Sequence, residues 1–205
     1  NRLASVIARL KRAPAGVVDE VRAYPNVASA RGRVSISVLI DIPRNDNPIS
    51  GVAISLPSRH APMLNDIVLR SGTWFSGSGN REIIITEEFA QANKLIPGDH
   101  LKVLLLDEQH DFLIVGLASS PEFVYLVPPS GGLAPDPARF GAVYLPEKFL
   151  QESSDMDGAY NEILLSLADS SKGAMQETVQ RMKDRLDQYG VARVSAMIDQ
   201  PSPQF

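Results

Sequence analysis

Three histidines and a short acidic run are the residues of this chain best suited to chemistry. His110 lies in "DEQHD", where Asp107, Glu108 and Asp111 set three carboxylates around one imidazole. Such a donor set suits a divalent cation. The same residues also suit the polar loop of a β-hairpin, because they separate the apolar runs "HLKVLLL" and "DFLIVGLA". The hairpin reading accounts for them without a metal and is preferred. His60 and Asp66 lack a metal-ligand spacing, and no H-E-x-x-H pair occurs. "SGSGN" at 76–80 is rich in small residues, yet it is neither a G-x-S-x-G elbow nor a phosphate loop with its lysine. "GDH" at 98–100 would need a nucleophile and a placed base beside it, and no such set stands out. No residue is therefore assigned to catalysis, to a metal or to a cofactor.

Composition narrows the classes further. At 205 residues, 44% apolar and 21% charged, the chain has the make-up of one large folded domain or two small ones. The net charge of −4 argues against nucleic acid, which requires a basic footprint. Arg2, Arg9, Lys11 and Arg12 form the one basic cluster, read as the solvated face of a helix. With no cysteine, disulfides and cysteine-ligated zinc or iron–sulfur sites are excluded. No apolar run reaches the roughly 20 residues that span a bilayer. The start at Asn1 without a signal peptide points to a mature chain or an excised fragment, with any membrane segments outside it.

The elements that must position these residues follow from periodicity. Leu3, Val6, Ile7 and Leu10 fall at i, i+3, i+4, i+7 and predict a helix over 1–12. Pro14 opens a second helix burying Val17, Val18, Val21 and Tyr24, which Pro25-Asn26 ends. "RVSISVLIDI" alternates strictly and predicts a half-buried strand, followed by a second strand, "VAISL". "EIIIT" reads as a buried strand, and Thr86 is placed to cap the helix after it. A hairpin around "DEQH" and a short strand "GAVYLP" complete the middle. "NEILLSLA" is a further strand, and Ser170-Ser171 precede a helix striped by Met175, Val179, Met182, Leu186 and Tyr189. Gly190 stops that helix and "VARVSAMI" returns as a strand. The inferred class is α+β. A split domain of βαβ elements, 13–58 with 158–199, is interrupted by a β-rich insertion over 59–157.

One loop stands apart. "SSPEFVYLVPPSGGLAPDPARFG" at 119–141 combines Pro128, Pro129, Pro135 and Pro137 with Phe123, Tyr125 and Phe140. Proline restricts the unfolded chain as well as the folded one, so this loop is expected to hold one shape. Its aromatic residues are expected to pack beneath it. Its tip, Ser130, Gly131, Gly132, Leu133 and Ala134, is the expected contact surface for a partner or a second protomer.

Taken in order, "RLASVIARL", "VVDEVRAYPNVASARGRVSISV", "LRSGTWF", "EIIITEEFAQANKLIPGD", "FLIVGLASSPEFVYL", "FGAVYLP" and "DQPSPQF" form a recognisable series. From about residue 14 to 205 the chain resembles the extracytoplasmic, periplasmic core domain of FtsX/MacB-type ABC transporter permeases. The resemblance implies a porter-like subdomain interrupted by a β-rich one, set between the first two transmembrane helices. It makes 1–12 a membrane-proximal extension and 200–205 the run-in to a further membrane helix. The basic residues near the start depart from the positive-inside tendency of such proteins. Implied partners are a cytoplasmic ATP-binding subunit, a second permease protomer and a periplasmic adaptor or substrate. The implied role is mechanical, at the periplasmic side of the inner membrane, with no cofactor. A free-standing periplasmic binding or adaptor module and a metal-dependent hydrolase using Asp107, His110 or Asp66 are the alternatives.

Overall fold

The computed structural model describes residues 3–43, 47–77, 81–124 and 137–196. In chain order they form strand β1 (Val6–Pro14), helix α1 (Gly16–Arg22), β2 (Val27–Arg33), β3 (Ser35–Asp41), β4 (Ile49–Leu56) and β5 (Val68–Gly72). There follow β6 (Glu82–Thr86), α2 (Glu87–Asn93), β7 (His100–Leu105), β8 (Glu108–Ser119) and the single turn α3 (Pro121–Val124). The last elements are β9 (Phe140–Pro146), α4 (Glu147–Ser153), β10 (Ala159–Leu167), α5 (Lys172–Leu186) and β11 (Val191–Ala196). Strand dominates this mixed α/β chain. Contacts divide it into two compact units, Asn1–Arg33 with Met63–Asn65 and Met156–Phe205, and Val34–Pro62 with Asp66–Asp155.

The first unit is a four-stranded antiparallel sheet in the order β11-β1-β10-β2. β1 and β2 flank β10, and β10 and β11 flank β1, so two β-α-β elements interleave as in the ferredoxin-like motif. One face carries Val6, Ala8 and Leu10 of β1 and Ile163, Leu165 and Leu167 of β10. Val17, Val18 and Val21 of α1 and Met175, Met182 and Leu186 of α5 cover it. Each such side chain removed from water contributes about 1.5–3 kcal/mol. Asn26, at φ 71, holds the turn after α1 by exchanging hydrogen bonds with the backbone of Asp169. Arg185 of α5 donates through Nε and Nη2 to Glu20 Oε2 at 3.0 and 2.5 Å, and this bond raises its already high pKa.

The helix expected over 1–12 is instead strand β1 from Val6 onward. Val6, Ala8 and Leu10 are buried at a period of two. Leu3, Val6, Ile7 and Leu10 fit a helical stripe equally well, and Ala8 fits either pattern. Pairing with β10 and β11 on both sides decides for the strand. Local periodicity cannot report partners so distant in sequence.

The second unit closes on itself. Its strands run β5-β8-β6-β9-β4-β3-β7, and β7 also pairs with β8. The first half of β8 pairs with β7, and its second half pairs with β6 and β5. β8, β6, β9, β4, β3 and β7 therefore form a six-stranded ring, with β5 as an outrigger. Val38, Ile40, Leu101, Val103, Leu105, Phe112 and Ile114 are buried, while Ser37, Leu39, Lys102 and Asp111 alternate outward. Gly51 and Gly141 lie opposite each other on β4 and β9. A Cβ at Gly51 would stand 2.5 Å from the Gly141 carbonyl oxygen, and one at Gly141 would stand 2.7 Å from Ile40 Cδ1 and 2.9 Å from Phe89. Only glycine permits that approach.

The observed partition moves more than one boundary: residues 1–12, expected as a separate membrane-proximal helix, and Met63–Asn65, expected in the insertion, belong to the first unit. Residues 34–58, expected with 13–33 in the split domain, pair within the ring through β3 and β4. The alternating run "RVSISVLIDI" is divided at Val34, since β2 ends at Arg33 and β3 begins at Ser35 in a different sheet. Alternation defines a strand but not the sheet it joins. Strands β2 and β5, the turn α3 and helix α4 have no counterpart in the periodicity reading. Thr86 and Ser171 occupy the N-cap positions of α2 and α5, without side-chain capping bonds; Ser171 Oγ donates to Asp169 instead.

Candidate functional site

The acidic run around His110 is pulled apart by the sheet. The loop expected at "DEQH" is shorter and earlier, with the chain reversing at Leu106-Asp107 and Glu108 already in β8. His110 and Asp111 are consecutive strand residues and face opposite ways: His110 is buried and Asp111 is exposed. The His110 ring meets Phe149 edge-on at 5.3 Å and lies 6.0 Å from Phe112. Glu108 Oε2 stands 3.8 Å from its Nε2. Asp111 instead pairs with His100, Oδ1 to Nδ1 at 3.0 Å, on the outer face. Among the described residues no group of three His, Asp or Glu side chains is arranged to hold a metal ion.

The structure does join His60 and Asp66, whose Nε2 and Oδ1 are 3.0 Å apart. Trp74 lies against that imidazole at 4.7 Å and donates its Nε1–H to the Pro57 carbonyl. Asp66 Oδ1 also accepts from the Ile67 amide. The pair thus braces the segment before β5. A shallow pocket of ≈ 70 Å³ in the first unit is lined by Tyr24, Pro25, Asn26, Thr178 and Arg181, with the Arg181 guanidinium over the Tyr24 ring at 5.7 Å. It is smaller than the roughly 300 Å³ at which ligand pockets begin. The loop tip Ser130, Gly131, Gly132, Leu133 and Ala134 lies outside the described residues, as does Tyr125, while Phe123 and Phe140 are half-buried.

A row of charged residues crosses the second face of the four-stranded sheet. Glu162 of β10 is directly opposite Arg9 on one side and Arg33 on the other. Its Oε1 accepts from Arg9 Nε at 2.8 Å and its Oε2 from Arg33 Nε at 2.7 Å. Arg33 and Glu162 are buried, whereas the Arg9 side chain remains 54% exposed. On the same face, Arg31 Nη1 donates to the Leu64 carbonyl, and Asn65 Oδ1 accepts from the Ala4 amide. One carboxylate clamped by two guanidiniums locks the register of three strands. Reading Arg9 as part of a solvated helix face missed this pairing. The signal was the isolated Glu162 at the head of an apolar strand, "NEILLSLA".

No family model matches the chain, and no curated protein matches it by sequence. Solved structures do. The periplasmic region of MacB from Actinobacillus actinomycetemcomitans superposes with a TM-score of 0.54 at 11% identity, covering 94% of this chain and 88% of that one. The fold is that of the MacB-type periplasmic domain. The extracellular domain of the noncanonic ABC-type transporter YknZ from Gram-positive bacteria gives 0.55 at 12% identity, over 95% and 99% of the two chains. A domain of a putative permease from Porphyromonas gingivalis gives 0.50 at 14% identity, over 97% and 93%. The MacB-type fold thus accounts for nearly the whole chain, including both compact units. Among its described residues, no helix is long and apolar enough to cross a membrane.

Proposed function

We propose that this chain is the extracytoplasmic domain of an ABC transporter permease. In this reading it sits on the periplasmic side of the inner membrane and transmits movement driven by ATP hydrolysis in a cytoplasmic subunit. It is itself non-catalytic and works with a second permease protomer and a periplasmic adaptor or substrate. The supporting observation is that the periplasmic and extracellular transporter domains match it over almost their full lengths as well as its own. The architecture suits the role. Movement is transmitted by rigid elements with discrete arrangements. A clamped sheet and a closed ring are both of that kind. The Ser130–Ala134 tip retains its assignment as a contact surface for the partner or second protomer.

The full gene product tests this reading. It should carry apolar runs of about 20 residues immediately before Asn1 and again after Phe205. The tagged, detergent-solubilised product should co-purify with an ATP-binding subunit encoded beside it. A stop codon after Phe205 with no membrane span upstream would overturn the proposal and favour a free-standing module.

A further inference from the structure

The charged row in the first sheet does not end at Arg9. Arg193 of β11 is directly opposite Arg9, on the other side from Glu162. Across the four strands the row therefore reads Arg193, Arg9, Glu162, Arg33. Three guanidiniums face one carboxylate, and Glu162 spends both of its oxygens on Arg9 and Arg33. Like charges directly opposite across an antiparallel pair are destabilising. Arg193 is exposed, and among the described residues it forms no ion pair. The register of β1 slips against β11 immediately after Arg9, and against β10 between Arg9 and Ala13. Such bulges re-aim side chains and gather beside functional sites. Sequence, register and charge thus disagree locally at one exposed point, which is where binding function is expected in an otherwise consistent fold.

We propose that Arg9 and Arg193 form a carboxylate-binding pair that docks an acidic segment of a partner protein. An incoming carboxylate above the β1–β11 pair would accept from both Arg193 and Arg9 and set a negative charge against two adjacent guanidiniums. The chain as a whole carries a net charge of −4, so attraction of an acidic segment has to be local. Arg9 and Arg193 face each other across a single strand pair, a fixed spacing that suits a carboxylate rather than a diffuse anionic surface.

Fluorescein-labelled hexaglutamate titrated onto the 205-residue chain, followed by anisotropy at low ionic strength, tests the pair. Wild-type protein is expected to bind, with affinity falling as salt rises. Arg193→Gln is expected to weaken binding about fivefold and Arg193→Glu about tenfold or more, at the scale of exposed ion pairs. Neither substitution lowers Tm, because each relieves the Arg9–Arg193 repulsion. Lys183→Gln, at an exposed position on α5, leaves the affinity within about twofold. Three results would each overturn the proposal: no binding by wild type, equal binding by Arg193→Glu, or equal loss with Lys183→Gln. Sedimentation with anionic phosphatidylglycerol vesicles that depends on Arg193, without peptide binding, would assign the pair to a lipid surface and overturn it as well.

Discussion

The two units of this chain solve the same problem in opposite ways. The four-stranded sheet is open, covers one face with two helices, and sets a charged row across the other. The ring has abolished most of its edges, and its strands β4, β6 and β9 are buried on nearly every residue. An open sheet fixes register by specific pairs, here Glu162 between Arg9 and Arg33. A closed ring fixes register by geometry, since strand number and stagger must agree for the last strand to meet the first. The first unit should thus be most sensitive to charge, and the second to volume.

Removing the charge of Glu162 should have the largest effect. Glu162→Gln removes the carboxylate charge paired with the buried Arg33 guanidinium and is expected to cost about 3–5 kcal/mol. Urea unfolding gives the magnitude, and amide exchange should localise it to β10 and β2. Replacing Arg33 and Glu162 together by Met and Leu should recover most of that loss; if it does not, the row matters for more than neutralisation. Gly51→Val should come next, at about 3 kcal/mol, through crowding against the Gly141 carbonyl. Its exchange signature should appear in β4 and β9 and spare β10. A loss spread evenly over both units would break the contrast. Lys148→Ala, which removes an exposed pair with Glu152 at 3.7 Å in α4, should cost only about 0.3–0.5 kcal/mol by thermal melting.

Elements whose own residues decide the matter were legible in the sequence. The stripe of Met175, Met182 and Leu186 needs no partner to identify a helix, and "EIIIT" is strand β6 over the residues read for it. β1 was misread because Ala8 fits a helix or a strand, and its true partners lie near the other end of the chain. "VASARGR" was missed because its small and basic residues carry no apolar period; its burial comes from β10 and α1. Ring closure was invisible because it depends on β8 serving β7 with one half and β6 with the other. The same limit applied to chemistry. The sequence showed Arg9, Arg33, Glu162 and Arg193 as unrelated positions, and only strand register sets them in one row.

The interleaving of the first sheet also has a consequence for the order in which the protein is made. β1 emerges first, yet both of its neighbours, β10 and β11, are synthesised last. The ring has all six of its strands once Pro146 is out, whereas Val6 must wait for Leu165 and Ala196. Domains fold as their residues become available during synthesis. The inserted unit can therefore close while β1 is still an unpaired strand. Its Arg9, Lys11 and Arg12 would then act as the nascent chain's guard against pairing with the wrong edge.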